Sequence, residues 1–205
     1  LEASNRAADW IAGIQDANGA WTRNTYRGPK AYKSRVAWAL LELYTINGNE
    51  KHREAAERAI NWILSQANLN GWFLNNSLSD TNKPWTHLIG YVLVGLMEIY
   101  LLDNAHFDRR KVLTLLQNAA KGIADFYMKA KAMDKDSNYV TLPGTFDCNW
   151  HSNDHWSCIT GNAQIEFFLR KIAKYTNDYQ LIHVADFLLD DIKQLLTSRI
   201  HEHRL

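Results

Sequence analysis

Thirteen consecutive residues, FDCNWHSNDHWSC from Phe146 to Cys158, hold two cysteines, two histidines, two aspartates and two tryptophans. Several chemistries fit those types. Cys148, His151, His155 and Cys158 form C-x2-H-x3-H-x2-C, donors that suit tetrahedral zinc. The spacing is not that of a zinc ribbon or finger, so no metal or other cofactor is the favoured expectation, and zinc on these four residues is the alternative. Cys158 could be a nucleophile if a helix N-terminus and a histidine lowered its pKa. An inert buried thiol is the blander reading, and a Cys148–Cys158 disulfide is a third. Asp147, His151, Asp154 and His155 are general acid/base candidates, and two carboxyl groups at a suitable separation hydrolyse glycosides. Trp150 and Trp156 offer flat faces for the C–H face of a sugar ring. Against all of these stands a hydrogen-bonded loop with two core tryptophans, because buried polar groups pair whatever their function.

Which reading holds depends on the elements that carry the stretch. The chain has 205 residues, enough for one domain, 1–205, with a substantial core. Its 23 basic and 22 acidic side chains leave no overall attraction to nucleic acid or an anionic membrane. The longest apolar run, Leu88 to Leu102, is broken by Glu98 and falls short of the ~20 residues of a membrane span. Two cysteines make no disulfide scaffold. The chain starts without Met at LEASNRAADW, already in helical pattern, which suggests a fragment.

The sequence repeats itself. AADWIAGIQDANGAW (Ala7 to Trp21) returns as AINWILSQANLNGWF (Ala59 to Phe73), and each copy is followed by a polar loop and an apolar helix. Repetition at roughly 50–70 residues means helical hairpins that bury their faces on one another. The periodicity predicts seven helices, near 3–16, 35–47, 51–66, 87–103, 108–130, 158–176 and 178–198. YVTLPGTF (Tyr139 to Phe146) is the one candidate for a short extended piece. The segment from Thr86 is apolar on nearly all sides, as an inner helix should be. EKHREAAERAINWILSQ carries its charges on one face, as an outer helix should. The fold class is therefore all-α, an α/α toroid or partial toroid. Inner-to-outer connections are short, whereas those near 17–33, 67–85 and 131–156 are long and must emerge on one rim, where function concentrates. Trp21, Trp72, Trp85, Trp150 and Trp156 lie in them.

Ser34, Thr86 and Ser157 are expected to cap the inner helices. That would place Arg35, His87 and Cys158 in equivalent first turns, with partial positive helix ends facing the rim. Arg23, Arg27, Lys30 and Lys33 stand in a first loop without an acid, suited to a carboxylate or phosphate. His87, opening a buried helix, is the histidine expected to point into a central cavity. His52, His106, His183, His201 and His203 are expected at exterior or terminal positions, and Trp10, Tyr44, Trp62, Tyr100 and Phe187 in the core.

SRVAWALLELY from Ser34, THLIGYVLVGLMEIY from Thr86 and SCITGNAQIEFFLRKIAKYTND from Ser157 together resemble a group of bacterial α/α-toroid proteins associated with polysaccharide metabolism. That group is similar to six-hairpin glycosidases, terpenoid cyclases and protein prenyltransferases. The likeness covers about residues 10–195 and is most specific in THLIGY and CITGNAQ. It implies the toroid fold and a carbohydrate ligand. No consecutive aspartates open an inner helix, so QDANGAW is better read as a packing device of the repeat than as a sign of isoprenoid chemistry. Six hairpins make twelve helices and seven are readable, so further sequence or a partner chain, such as a second copy, is expected to close the ring.

The resulting expectation is a domain acting on an acidic glycan as hydrolase, lyase or epimerase. Asp147, His151, Asp154, His155 and His87 would be its acid/base pool. Arg23, Arg27, Lys30 and Arg35 would hold the anionic group, and Trp21, Trp72, Trp150 and Trp156 would stack on the sugar. The alternatives are a non-catalytic glycan-binding or scaffold domain and, more remotely, an isoprenoid-handling protein.

Overall fold

The computed structural model describes residues 1–79, 82–134 and 140–202, with side chains to Ser198. Seven helices run through them: α1 (Glu2–Gly13), α2 (Ser34–Asn47), α3 (Glu50–Ser65), α4 (Thr86–Leu102), α5 (Arg109–Met133), α6 (Ile159–Thr176) and α7 (Tyr179–Glu202). A short 3-10 turn, Ala31–Lys33, leads into α2. No strand occurs among the described residues. The expected extended piece is reduced to one antiparallel bridge between Trp85 and Thr145, and its first residue, Tyr139, lies outside the described residues.

Local chemistry sets the helix ends. Asn49 and Asp108 cap α3 and α5 by accepting from the backbone N–H groups of Lys51 and Lys111. Helices α2, α4 and α6 stop on left-handed residues, Gly48, Asp103 and Asn177, types that tolerate that conformation. These stops turn the chain within a few residues, so each inner helix is followed at once by its outer partner.

Packing follows the two-row expectation. Helices α2, α4 and α6 lie side by side, α3 backs α2, α5 backs α4 and α6, and α7 backs α6. Twelve of the 17 residues of α4 are buried, which its place in the middle of the row requires. The residues of α4 that escape full burial are His87, Tyr91, Glu98, Leu101 and Leu102. Their spacing puts them on one stripe of the helix, and with α2, α5 and α6 covering the rest, that stripe is the open inner face.

Polar nodes tie the rows together. His52 is fully buried, against the expectation of an exterior position, because its ring bonds Asp9 of α1 at 3.1 Å and lies within 3.3 Å of the Asn47 and Asn49 amides. Asp191 is likewise buried, accepting from the Tyr127 hydroxyl and from Lys131 of α5. Burial and that carboxylate push the Tyr127 phenol far up. Trp10 and Phe187, expected in the core, are 56% and 43% exposed. Their helices are outer ones, and these rings are only partly covered, Phe187 by Lys131 of α5 at 5.6 Å and Trp10 at the edge of a small cavity with Trp21 and Val36.

Three copies of one tight turn precede the inner helices. The N–H of Asp16 donates to the Ala20 carbonyl, that of Asn68 to Trp72, and that of Asp147 to His151, at 2.9, 2.7 and 2.9 Å. In each copy the fourth residue is left-handed: Gly19, Gly71 and Trp150, with φ of 89°, 79° and 60°. Glycine is required in the first two, because a side chain there would also strike the backbone of α3 at Arg58 or of α5 at Leu115. In the third copy a tryptophan holds the same conformation.

Candidate functional site

The first half of the cysteine- and histidine-rich stretch is therefore a structural turn. The Asp147 carboxylate accepts from the backbone N–H groups of Asn149 and His151, both at 2.9 Å. The Trp150 ring lies over Gly122 of α5 and edge-on to Phe146, and its N–H donates to the Asn70 carbonyl of the preceding turn at 3.1 Å. Asn70 in turn donates to the Cys148 carbonyl at 2.7 Å. Trp21, Trp72 and Trp150 are 4%, 2% and 6% exposed. Their faces are spent on packing, which corrects their expected place in sugar stacking. The signal for this lay in the alignment of Asn18, Asn70 and Asn149 in DANG, NLNG and DCNW. Trp150 in the glycine's place hid the third copy.

The second half behaves differently. Trp156 is 48% exposed, with one side of its ring laid on Gly144, where any side chain would collide with it. Trp85 is 44% exposed and stands edge-on to Trp156, ring centres 6.3 Å apart. His87 follows, 5.5 Å from Trp85 and 5.6 Å from Tyr91. Arg35 of α2 lies over the Tyr91 ring at 4.7 Å and near Trp38. The sequence puts Trp85 on the rim without marking its ring as exposed, and nothing in it singles out Tyr91. The result is one aromatic band, Trp156–Trp85–His87–Tyr91–Arg35, crossing the inner helices near their N-termini. Further along the same face Glu98 pairs with Lys171, and Trp38 donates to Glu42.

The inner helices begin differently from the expectation. Ser34 and Thr86 are the first residues of α2 and α4 and do not cap them. Their hydroxyls bind across to neighbouring elements: Ser34 to the Tyr91 carbonyl at 3.1 Å, Thr86 to that of Pro143. Ser157 binds the Leu142 carbonyl and receives a bond from Asn162. Cys158 takes the cap position of α6 without a side-chain capping bond. Its sulfur lies 3.7 Å from His87 Nδ1. Burial pushes the His87 pKa down, favouring the neutral ring.

The other expected residues are dispersed. Asp154, held by the Thr145 hydroxyl at 2.7 Å, lines a cavity of about 580 Å³ with His155 and Trp156. His151 lines an adjoining one, of about 520 Å³, with Lys129; the two cavities share Phe126, Ala130 and Ser152. Arg23 lines a smaller one, of about 160 Å³, with Trp10, Trp21 and Lys33. Burial lowers the Lys33 pKa. Arg27 is exposed beside Tyr26, and Lys30 is only 7% exposed, which removes it as a rim cation. Of the expected groups, Asp154 and His155 thus share a cavity with Trp156, whereas Arg23 lines a separate one. No group of three or more His, Cys, Asp or Glu side chains arranged for a metal occurs among the described residues. Cys148 and Cys158 are both free thiols, so the disulfide alternative is not formed. No described helix is long and apolar enough to cross a membrane.

Two rows of helices, inner and outer, with the long loops on one rim, define this chain as an all-helical protein of the α/α-toroid class. A structure described as D-mannose isomerase is similar to it, with a TM-score of 0.60 at 9% identity over 93% of this chain and 51% of that one. A polysaccharide lyase, BACCELL_00875, is similar with a TM-score of 0.59 at 16% identity over 91% and 52%. The chain spans about half the length of each. At these identities the likeness establishes the fold. No family model and no curated protein sequence matches the chain.

Proposed function

We propose that this chain is a carbohydrate-active toroid domain that receives a sugar across the band Trp156–Trp85–His87–Tyr91–Arg35. The observation that carries this is the pair of half-exposed tryptophans set edge-on beside a half-buried histidine. Large exposed aromatic faces next to a titratable group are what a sugar ring needs for stacking and for proton transfer. His87, kept neutral by burial, would act as the general base or acid. Among the described residues no carboxylate pairs with Arg35, so its guanidinium is available to the carboxylate of an acidic glycan. The similar solved structures, described as a sugar isomerase and a polysaccharide lyase, support the same substrate class.

Asp154 and His155, beside Trp156, are the next acid/base candidates. Asp147 serves its turn and is set aside. The charged groups along the inner face, Glu42, Glu98 and Lys171, do not suit a hydrocarbon ligand, which counts against the isoprenoid alternative. The test is product formation from uronate-containing oligosaccharides by the wild type and by His87→Gln. Loss of turnover with binding retained is the expected result. Equal turnover would remove His87 from the chemistry, and saturable binding without turnover in the wild type would make this a binding domain.

A further inference from the structure

Two thiols stand ten residues apart on opposite sides of Trp150 and Trp156, and their surroundings differ. Cys148 is exposed in the structural turn, with no side-chain partner among the described residues. Cys158 is half-buried at the start of an 18-residue helix, its sulfur 3.7 Å from His87 Nδ1. His87 has no other hydrogen-bonding partner among the described residues. The contact joins two inner helices, since Gly161 in the first turn of α6 packs against the backbone of Thr86 and His87. Any side chain at Gly161 would force α6 away from α4, so the close approach of thiol and imidazole is built into the helix packing. Trp85 and Trp156 leave the pair beside the exposed band.

We infer that Cys158 and His87 form a thiol–imidazole pair that makes Cys158 the nucleophilic cysteine of this chain, able to add to the carbonyl carbon of an open-chain aldose. The neutral imidazole, its Nδ1 3.7 Å from the sulfur, accepts the thiol proton as the sulfur attacks. In the addition, the Sγ–C1 bond forms as the C1=O π bond breaks. The proton taken by Nδ1 then passes to the carbonyl oxygen, leaving a neutral hemithioacetal, and reversal restores thiol and aldehyde. No oxidant, reductant or leaving group is needed. The nature of the electrophile rests on the carbohydrate reading above; the reactivity of the thiol does not.

The test is the rate of alkylation by iodoacetamide at each cysteine, read by peptide mass spectrometry at pH 7 on the folded protein. Exposure alone predicts that Cys148 reacts first. The pair predicts that Cys158 reacts faster despite its lower exposure, by roughly tenfold or more, and that His87→Gln abolishes the advantage. The comparison within the wild type requires no variant to fold. Faster reaction at Cys148, or an unchanged Cys158 rate in a folded His87→Gln protein, would overturn the inference. A second arm adds an aldose or the matching alditol before alkylation. Protection of Cys158 by the aldose alone supports the hemithioacetal. A reactive Cys158 protected by neither refutes the aldose as its partner while leaving the pair intact, and says nothing against sugar binding elsewhere on the band.

Discussion

Trp150 and Trp156 lie six residues apart in one loop and do opposite work. The segment around Trp150 is a third copy of a repeated turn, its aspartate bonding backbone amides and its ring buried on Gly122. The segment around Trp156 has no counterpart in the earlier copies, and its ring lies on Gly144 with one face open. Repetition marks what the fold requires. Trp156, which has no repeat, keeps nearly half of its surface exposed.

The comparison can be broken at several points. Trp150→Ala should cost about 3–5 kcal/mol of stability in urea unfolding, while Trp156→Ala should stay within about 1 kcal/mol. Equal losses would end the distinction. Gly71→Ala should cost about 2 kcal/mol, since it combines a left-handed backbone with a collision against α5. Gly28→Ala, equally left-handed but in open space, should cost about half as much.

Asp147→Ala should lose about 1 kcal/mol through its two backbone bonds and leave ligand binding unchanged; a binding defect without instability would return Asp147 to the site. The smallest effect concerns pH. The His87 pKa is lowered in the folded chain, so the unfolded chain takes up the proton first as pH falls below about 6.5. The stability present above that pH should therefore decline on acidification. Comparing the pH dependence of melting in wild type and His87→Gln isolates this contribution, and identical profiles would contradict the burial of that ring.

The seven helices and their two rows were legible because apolar periodicity and short Gly/Asn/Asp stops report local geometry. The ends of α1, α5 and α7 drifted by up to four residues, since capping choices there are weak. The band at the inner-helix N-termini was only partly legible. His87 and Arg35 stood out by helix position, and Trp156 by its loop. Tyr91 reads as one more apolar residue of a buried helix, and its role follows from α4 having neighbours on every side but one. Burial of Trp21 and Trp72 depends on the outer helix each loop folds against, α1 and α5, which no local pattern encodes. His52 was misplaced for the same reason: its partner Asp9 comes from another helix.

The proposed sugar site depends on stacking against Trp85 and Trp156. Its most direct test is a titration of uronate-containing oligosaccharides, followed by calorimetry or saturation-transfer NMR, into the wild type and into the double variant Trp85→Ala, Trp156→Ala. Saturable binding to the wild type, lost in a double variant that melts at nearly the same temperature, is the expected result. Undiminished binding to the double variant would contradict the account.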